Sequence, residues 1–526
     1  MATTDVSNGW ALTILSMSTL SWASTVVVAL VISIRIMTAS QHDPREPPLL
    51  PISTISHLIG LTKHRLKYAD HLALSNRNKF SEGFFTINLF GQKIYLLSNP
   101  SIIIAVQKKS RILTGYELLV GLGIKLSGFK GKAKQLVLQD MKNPKVGSLS
   151  TDTHKSLYRT LGEGANLNNM KTDFFTRTFN SQQGLYEKVA EDSMTIDIFL
   201  FIAETITKAT THMLWRDNNP FESNATLWKD YQTFDNELGL ILFYPFASQL
   251  ARNGINARKK IGSLLTQYWR SGGSDDASLL EKQNYNIARK WGMSVNDIGF
   301  KSIAILVAAL SNTMPAAYGV LSYICNDAEL LSDIRSELDN VTIQVDNKAF
   351  IDYHSLRPKC PLLNSTIYEV LRILSIASTV RDVDETCTVS SESRQYVLKK
   401  GAKIIVSGIV THTSPEIYPD PYLFTPRRFL DVAFPETQMS GQFRAFGGGF
   451  HLCAGRYLAI DEIMATVGGL ITRFDFQPIT SDGIRKSWTL PIREDSFTHI
   501  LIPQPRGEVL VEVRRRRGYK DVQWIA

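Results

Sequence analysis

The alternation of apolar and polar residues predicts a mainly helical protein that also contains small β-sheets. Apolar residues recur at helical spacing in five segments, 184–216, 257–271, 295–327, 328–339 and 361–374. A last helix is predicted from about Ala454 to Arg473, and the segment 84–100 alternates around Gly91 as a β-hairpin does. Short strands are expected around 377–410, whereas 110–170 has no pattern that places its elements.

The N-terminal segment is apolar over a length that can cross a membrane. No charged residue lies within 6–34, and about 20 apolar residues span the hydrocarbon core. Arg35 and further basic residues follow, and positive charge on that side favours a cytosolic body. A cleaved signal peptide is the alternative, but no basic region precedes the apolar stretch. We expect a membrane anchor at 1–38, a proline-rich hinge at 39–51 and one large domain at 52–526.

Composition and charge narrow the class of protein. The 526 residues are 44% hydrophobic and 20% charged, which is typical of a globular chain, and one large domain is the simplest interpretation. The four cysteines are widely spaced, which argues against structural zinc and a disulfide framework. The net charge is +9, but its clearest basic run, Arg514–Arg517, lies in the C-terminal tail. We therefore expect no nucleic-acid partner.

One cysteine stands between a glycine run and a predicted helix, in the segment FRAFGGGFHLCAGRY. Glycines allow the backbone to approach a flat ligand without Cβ clashes, and a helix start favours a thiolate. Counted from Cys453, Phe446 lies at −7, Gly449 at −4, His451 at −2 and Gly455 at +2. At each of these positions the chain resembles the haem-thiolate monooxygenases of the cytochrome P450 superfamily. The alternative is a buried structural cysteine after a glycine-rich turn.

The resemblance implies the cytochrome P450 fold and a haem b group whose iron is bound by the Cys453 thiolate. His451 would donate a hydrogen bond to a haem propionate, and Arg381, in STVRDV, would bind a propionate as well. A solvent-facing arginine is the alternative for Arg381. The Trp-x-x-x-Arg motif that usually contacts haem is absent from an earlier helix. Substitutes are offered by HKSLYRTL, namely His154, Tyr158 and Arg159.

Two further motifs of this family follow in the expected order. Glu369 and Arg372 lie three residues apart in TIYEVLRI, and alone such a pair is usually a surface ion pair. In the family the pair is buried and takes a third partner from a Pro-x-Arg-Phe segment, here FTPRRF with Arg428. The resemblance therefore implies a structural triad of Glu369, Arg372 and Arg428.

The long helix at 295–327 departs from the family pattern at its centre. Family members carry an acid followed by threonine over the iron, where the pair delivers protons, but here the residues are Asn312 and Thr313. Pro315 follows and predicts a kink, because it cannot donate to the Ser311 carbonyl. The stretch SNTMPA resembles the sterol 7α-hydroxylase and prostacyclin synthase branch. Each polar residue is alternatively an ordinary helix residue.

The resemblance implies a microsomal-type monooxygenase, similar in style to fungal secondary-metabolism enzymes. Dioxygen and electrons from NADPH–cytochrome P450 reductase, with cytochrome b5 as an optional donor, would oxidise a lipophilic terpenoid, sterol-like or polyketide-derived substrate. The protein would be a single-pass protein of the endoplasmic reticulum membrane. Asn312 keeps a haem-thiolate isomerase or dehydratase open, and a non-catalytic haem sensor is a further alternative. Expected pocket residues are Leu306, Leu310, Ser311, Ile376, Ala377 and His499–Ile500.

Overall fold

The structure is a computed structural model, and it describes residues 42–64, 67–80, 82–139, 147–189, 193–244, 246–375, 378–432, 434–492, 502–520 and 522–525. The predicted membrane anchor at 1–38 lies outside the described residues. The chain divides into two compact units. Of the described residues, those up to Leu113 and Val380–Val406 form the smaller unit, and those of Thr114–Thr379 and from Ser407 onward form the larger.

Helices account for most of the ordered elements, as the apolar periodicity predicts. They are α1 (Thr54–His64), α2 (Tyr68–Ser75), α3 (Pro100–Lys108), α4 (Tyr116–Ser127), α5 (Gly131–Leu138), α6 (Leu149–Thr160), α7 (Ala165–Lys188), α8 (Ile198–Trp215), α9 (Pro220–Ser223), α10 (Leu227–Asn236), α11 (Leu238–Phe243), α12 (Ala247–Leu250), α13 (Arg252–Arg270), α14 (Gly273–Asp276), α15 (Leu279–Lys290), α16 (Val295–Leu310), α17 (Thr313–Cys325), α18 (Ala328–Asp339), α19 (Leu356–Lys359), α20 (Pro361–Leu374), α21 (Gly408–His412), α22 (Pro435–Gln438) and α23 (Arg456–Arg473).

The strands are short and form small sheets. They are β1 (Phe84–Leu89), β2 (Gln92–Leu97), β3 (Leu113–Thr114), β4 (Met194–Asp197), β5 (Thr342–Val345), β6 (Lys348–Ile351), β7 (Thr379–Val383), β8 (Cys387–Ser390), β9 (Gln395–Leu398), β10 (Lys403–Val406), β11 (Phe474–Pro478), β12 (Leu510–Arg515) and β13 (Gln523–Trp524). The sheets have the strand orders β1-β2-β10-β7-β3, β11-β12-β4, β13-β6-β5 and β8-β9. A mainly helical fold with small sheets is therefore confirmed.

The predicted hairpin at 84–100 is present as the antiparallel pair β1 and β2, with Leu89 opposite Gln92. The two residues between the strands, Phe90 and Gly91, have φ angles of 51° and 89°. A two-residue hairpin turn of type I′ needs positive φ at both central positions, and glycine adopts such an angle without steric cost. In the same sheet β10 runs parallel to β2, with Lys403 opposite Ile94.

Several predicted helices are confirmed, and one is partly wrong. The segments 328–339 and 361–374 form α18 and α20 with the expected bounds. The segment 184–216 is interrupted, because Met194–Asp197 pairs with strand β12 and the Asp197 side chain accepts the Leu200 N–H to cap α8. The patternless segment 110–170 forms β3, α4, α5, α6 and the start of α7 among its described residues.

The long central helix breaks at the position that the proline predicts. Helix α16 ends at Leu310 and α17 begins at Thr313, so Ser311 and Asn312 form a turn between them. The Ala316 N–H still donates to the Asn312 carbonyl at 3.1 Å, but Pro315 has no N–H for the Ser311 carbonyl. Within the described residues, Val295–Cys325 is the stretch long and apolar enough to span a bilayer, and 67% of its most apolar window is buried inside the protein.

Candidate active site

The loop before Cys453 has a backbone that requires glycine. Gly447 and Gly449 have φ angles of 75° and 64°. A Cβ atom on Gly447 would lie 3.2 Å from the carbonyl oxygen of His451, a tight contact that adds to the cost of a side chain there. The Cys453 N–H donates to the Phe446 carbonyl at 2.9 Å, which closes the loop directly before helix α23. The loop thus presents its cysteine at a helix N-terminus.

The accessibility of Cys453 distinguishes it from the other cysteines. Cys453 is exposed, whereas the other three are buried or half-buried, and burial raises the pKa of Cys325 and Cys360 to about 12. Desolvation by the surrounding protein also raises the pKa of the Cys453 thiol, and the hydrogen bond from the Gly455 N–H and the Arg456 guanidinium offset part of this rise. An accessible sulfur with a backbone donor and a nearby cation is suited to bind a metal as a thiolate.

A buried ion-pair network lies on the same side of the site as Cys453, which we call the proximal side. Arg372 donates to both carboxylate oxygens of Glu369 at 2.8 Å, and neither side chain is exposed. The Arg428 guanidinium binds the same carboxylate at 3.1 and 3.2 Å, and the Thr425 N–H adds a further donor at 3.0 Å. The structure therefore brings Glu369, Arg372 and Arg428 together as one triad.

His412, which the sequence patterns do not predict, connects this network with the cysteine loop. Its carbonyl accepts from Arg372 Nη1 at 2.7 Å, and its ring Nε2 accepts from the Arg444 N–H at 2.8 Å. The imidazole is fully buried and therefore fixes the backbone two residues before Phe446. Nothing in the local sequence marks this histidine, because the bond spans 32 residues.

The distal side, which the family pattern places opposite Cys453, is formed by the break between α16 and α17. The Thr313 hydroxyl donates to the Ala309 carbonyl at 2.9 Å, and Thr313 is buried. Asn312 occupies the N-cap position of α17 without a side-chain cap bond. The Ser311 hydroxyl contacts Tyr231 at 2.9 Å and donates to the carboxylate of Asp235. The helix break thus receives an acidic side chain from helix α10.

Comparison with known proteins gives a consistent answer for this arrangement. The cytochrome P450 family model matches residues 274–510, which include the central helix, the ion-pair network and the cysteine loop. The cytochrome P450 monooxygenase nodJ of Hypoxylon pulicicidum is 25% identical over 499 residues, 92% of either chain. The chain belongs to the cytochrome P450 superfamily. Its enzyme class is accordingly that of the cytochrome P450 monooxygenases.

Two mammalian relatives support the branch that the SNTMPA stretch indicates. Mouse cytochrome P450 7B1 is 25% identical over 461 residues, 84% of this P450 and 87% of the relative. The 25-hydroxycholesterol 7-alpha-hydroxylase of Rattus norvegicus is 29% identical over 272 residues, 49% of this P450 and 66% of the relative. The predicted superfamily and its sterol 7α-hydroxylase branch are therefore confirmed.

The geometry of this P450 fits the haem that its family implies. Cys453 offers one accessible sulfur, and a Cβ atom on Gly455 would meet no protein atom within 4 Å. Contacts within the protein therefore do not account for a glycine at this position. Phe446 is half-buried against the core beside the loop. The donor set thus suits a planar cofactor held by one axial thiolate.

Two of the three substitutes for the missing Trp-x-x-x-Arg motif contact the cysteine loop. The Tyr158 hydroxyl donates to the carbonyls of Phe450, at 3.3 Å, and Leu452. The His154 ring stacks on the Phe450 ring with centroids 4.4 Å apart, and burial lowers the pKa of His154. Arg159 is exposed on the same helix, α6. Helix α6 therefore supports the loop through an aromatic contact and backbone-directed hydrogen bonds.

The remaining predicted residues are half-buried or buried where the structure describes them. His451 packs against the ring of Tyr116, with centroids 5.4 Å apart, and sequence patterns did not predict Tyr116. Arg381 lies in β7 of the smaller unit and is only 6% exposed, so it does not face solvent. Leu306 and Leu310 are fully buried. The pocket residues expected at 376, 377, 499 and 500 lie outside the described residues.

Proposed function

We propose that this P450 is a haem-thiolate monooxygenase that inserts an oxygen atom into a lipophilic substrate. The observation that carries the proposal is the accessible Cys453 on a glycine-shaped loop, which His412 connects to the buried triad of Glu369, Arg372 and Arg428. Bound haem b would supply the activation of dioxygen, which an axial thiolate favours by donating electron density. The chain would ligate the iron through Cys453.

The remaining loop and strand residues would hold the cofactor in place. His451 and Arg381 would donate to its propionates, while Phe446, Gly449 and Gly455 would lie along its flat surface. The Tyr158 bonds to the loop carbonyls and the His412 bond to the Arg444 N–H would keep the loop from shifting. These roles follow from the family pattern.

On the distal side, Thr313 and Asn312 would position water and protons. The Thr313 hydroxyl donates to Ala309 and keeps its lone pairs for a water molecule. The Asn312 amide cannot titrate, but it can orient a water. Since Asn312 replaces an acid, a haem-thiolate isomerase or dehydratase that acts on a pre-oxidised substrate is the second candidate, and a non-catalytic haem sensor is the third.

The substrate is proposed to be a terpenoid, a sterol-like molecule or a polyketide-derived natural product. The rat relative is a 25-hydroxycholesterol 7-alpha-hydroxylase, and the Hypoxylon relative is a fungal monooxygenase. Residues 1–38 would anchor the protein in the endoplasmic reticulum membrane with its catalytic domain in the cytosol. Electrons would come from NADPH–cytochrome P450 reductase, with cytochrome b5 as an optional donor.

The test uses the purified full-length protein, reconstituted with NADPH–cytochrome P450 reductase in lipid vesicles. Sterols, terpenoids and polyketides are supplied together with NADPH and isotope-labelled dioxygen. We expect a product that carries one labelled oxygen atom and that disappears without NADPH or in Cys453→Ser. Conversion that needs neither NADPH nor dioxygen would instead support the isomerase or dehydratase. Bound haem without conversion of any compound would support the sensor.

A further inference from the structure

A buried polar network surrounds the break in the central helix of this P450. Asp235 accepts from the Ser311 hydroxyl with one carboxylate oxygen and from Gln504 Nε2, at 2.5 Å, with the other. The Tyr231 hydroxyl lies 2.9 Å from the Ser311 hydroxyl. Asp235 is 2% exposed, Tyr231 is fully buried and Gln504 is 8% exposed. Three separate parts of the chain thus converge on one carboxyl group.

The partners of this carboxyl group are all neutral. Within the described part of the chain, no Lys, Arg or His reaches ion-pair distance of Asp235. Apart from Asp235 itself, the titratable group in the network is Tyr231. Desolvation raises the pKa of Asp235 to about 6, although the hydrogen bonds from Ser311, Gln504 and Tyr231 each lower it. Burial and the Asp235 charge also raise the pKa of Tyr231 well above its usual range. Asp235 can therefore hold and release a proton near neutral pH.

The position of the network matters as much as its chemistry. Ser311 directly precedes Asn312, where the family pattern has the proton-delivering acid, and Thr313 follows. Because Pro315 offers no N–H, the turn at Ser311 is free of one helical hydrogen bond, and its hydroxyl points to α10. The structure therefore has an amide, Asn312, at the position of the family's acid. The residue before it, Ser311, is hydrogen-bonded to a buried acid, Asp235, on a different helix.

We propose that Asp235 is the distal acid of this enzyme and delivers protons through the Ser311 hydroxyl, in place of the acid that Asn312 replaces. The inference rests on the proposed monooxygenase function. Each turnover consumes one dioxygen, two electrons from NADPH through the reductase and two protons, and yields the hydroxylated substrate and one water. In each proton transfer the Asp235 O–H bond breaks and Ser311 Oγ gains that proton, while Ser311 gives its own proton to a water molecule held by Thr313 and Asn312. That water passes a proton on to the dioxygen as it is reduced, and Asp235 regains a proton from solvent.

The main test compares wild type with Asp235→Asn, which has nearly the same shape but cannot titrate. The full-length holoenzyme with reductase oxidises NADPH without added substrate, and the released hydrogen peroxide is measured against the NADPH consumed. We expect NADPH oxidation to fall about ten-fold or more. We also expect the peroxide fraction and the solvent deuterium isotope effect to rise. The wild-type rate should decline as the pH rises above about 6, because the protonated acid is required, and the variant should lack this decline.

Two matched variants separate proton delivery from packing. Asp230→Asn lies on the same helix, where Asp230 pairs with Lys260 at the surface, and should behave as wild type. Asn312→Asp added to Asp235→Asn returns an acid to the helix break and should restore a low peroxide fraction. An Asp235→Asn variant with wild-type peroxide fraction and pH profile would overturn the proposal. If that variant does not bind haem, Ser311→Ala serves in its place, and unchanged coupling there would overturn the proposal as well.

An independent readout does not depend on turnover. Infrared difference spectra of wild type against Asp235→Asn should contain a protonated carboxyl band that is lost as the pH rises through about 6. A carboxylate that stays ionised at pH 5 would contradict the relay even in an active enzyme. A wild-type protein that reduces no dioxygen with NADPH would contradict the proposed monooxygenase function itself, whatever the infrared band shows, and thereby overturn the relay too.

Discussion

Glu369 and Asp235 are both carboxylates with almost no exposed surface, 0% and 2%, but their surroundings differ. Glu369 accepts from the guanidinium groups of Arg372 and Arg428 and from a backbone N–H. Asp235 accepts from a hydroxyl and an amide, both neutral. Two guanidinium groups offset the loss of hydration of a charge, whereas neutral donors do so only in part.

The difference separates a structural role from a chemical one. A carboxylate that is paired with two guanidinium groups holds the proximal loop at fixed geometry. A carboxyl group with neutral partners exchanges a proton at moderate pH, which is the property that an acid in a relay needs. The proximal side of this P450 therefore follows the family motif, while the distal side carries its acid on another helix.

The largest effect is expected from Arg372→Ala, which removes the bidentate partner of Glu369. The variant leaves a buried carboxylate with one guanidinium, and breaking a buried pair costs about 3–5 kcal/mol. We expect the free energy of unfolding in urea to fall by that amount and haem to be lost on purification. A variant with wild-type stability would show that the network does not hold the proximal loop.

The next effect concerns the pH dependence of stability at Asp235. Its pKa rises from about 4 in an unfolded chain to about 6 in the folded protein, so folding binds a proton between these pH values. The free energy of unfolding should therefore decrease by about 3 kcal/mol as the pH rises from 4 to 7. Asp235→Asn should lack this contribution in urea titrations at each pH. Parallel curves for the two proteins would contradict it.

Two neighbouring arginines give a matched pair on the proximal side. Arg428 binds the buried Glu369, whereas Arg427 binds Asp333 at the surface, where both side chains are largely exposed. Arg428→Ala should lower the free energy of unfolding by about 2 kcal/mol, since it removes hydrogen bonds to a buried charge. Arg427→Ala should change it by less than about 1 kcal/mol. Equal losses in thermal melts would show that burial does not set the difference.

A smaller effect is expected from Tyr158→Phe, which keeps the ring and removes the hydroxyl. The variant loses the hydrogen bonds to the Phe450 and Leu452 carbonyls, each of which contributes about 1 kcal/mol. We expect slightly faster haem release with an unchanged Soret maximum, measured by transfer to a haem acceptor protein. Release as slow as in wild type would show that α6 does not hold the loop.

The proximal side can be predicted from the sequence better than the distal side, because its interacting residues lie closer together along the chain. Glu369 and Arg372 lie one helical turn apart, and the residues around Cys453 lie within ten positions, so each motif is visible in a short window. Asp235 meets Ser311 across 76 residues, and Gln504 meets Asp235 across 269. No local pattern can indicate such pairs.

The same rule applies to the fold. Helices α18 and α20 follow their own apolar periodicity, and their predicted bounds are confirmed. The predicted helix at 184–216 is interrupted because Met194–Asp197 pairs with β12, a strand that lies more than 300 residues further along the chain. Periodicity describes one face of one element, and a distant strand can override it.

The central claim is that the Cys453 thiolate binds haem iron, and the carbon monoxide difference spectrum tests it most directly. Reduced membranes that contain the full-length protein are compared with Cys453→Ser and, as a control, with Cys387→Ser, a half-buried cysteine of the smaller unit. We expect a strongly red-shifted Soret band in wild type and in Cys387→Ser, and its loss in Cys453→Ser. A band that persists in Cys453→Ser, or a wild-type protein that folds without haem, would contradict the account.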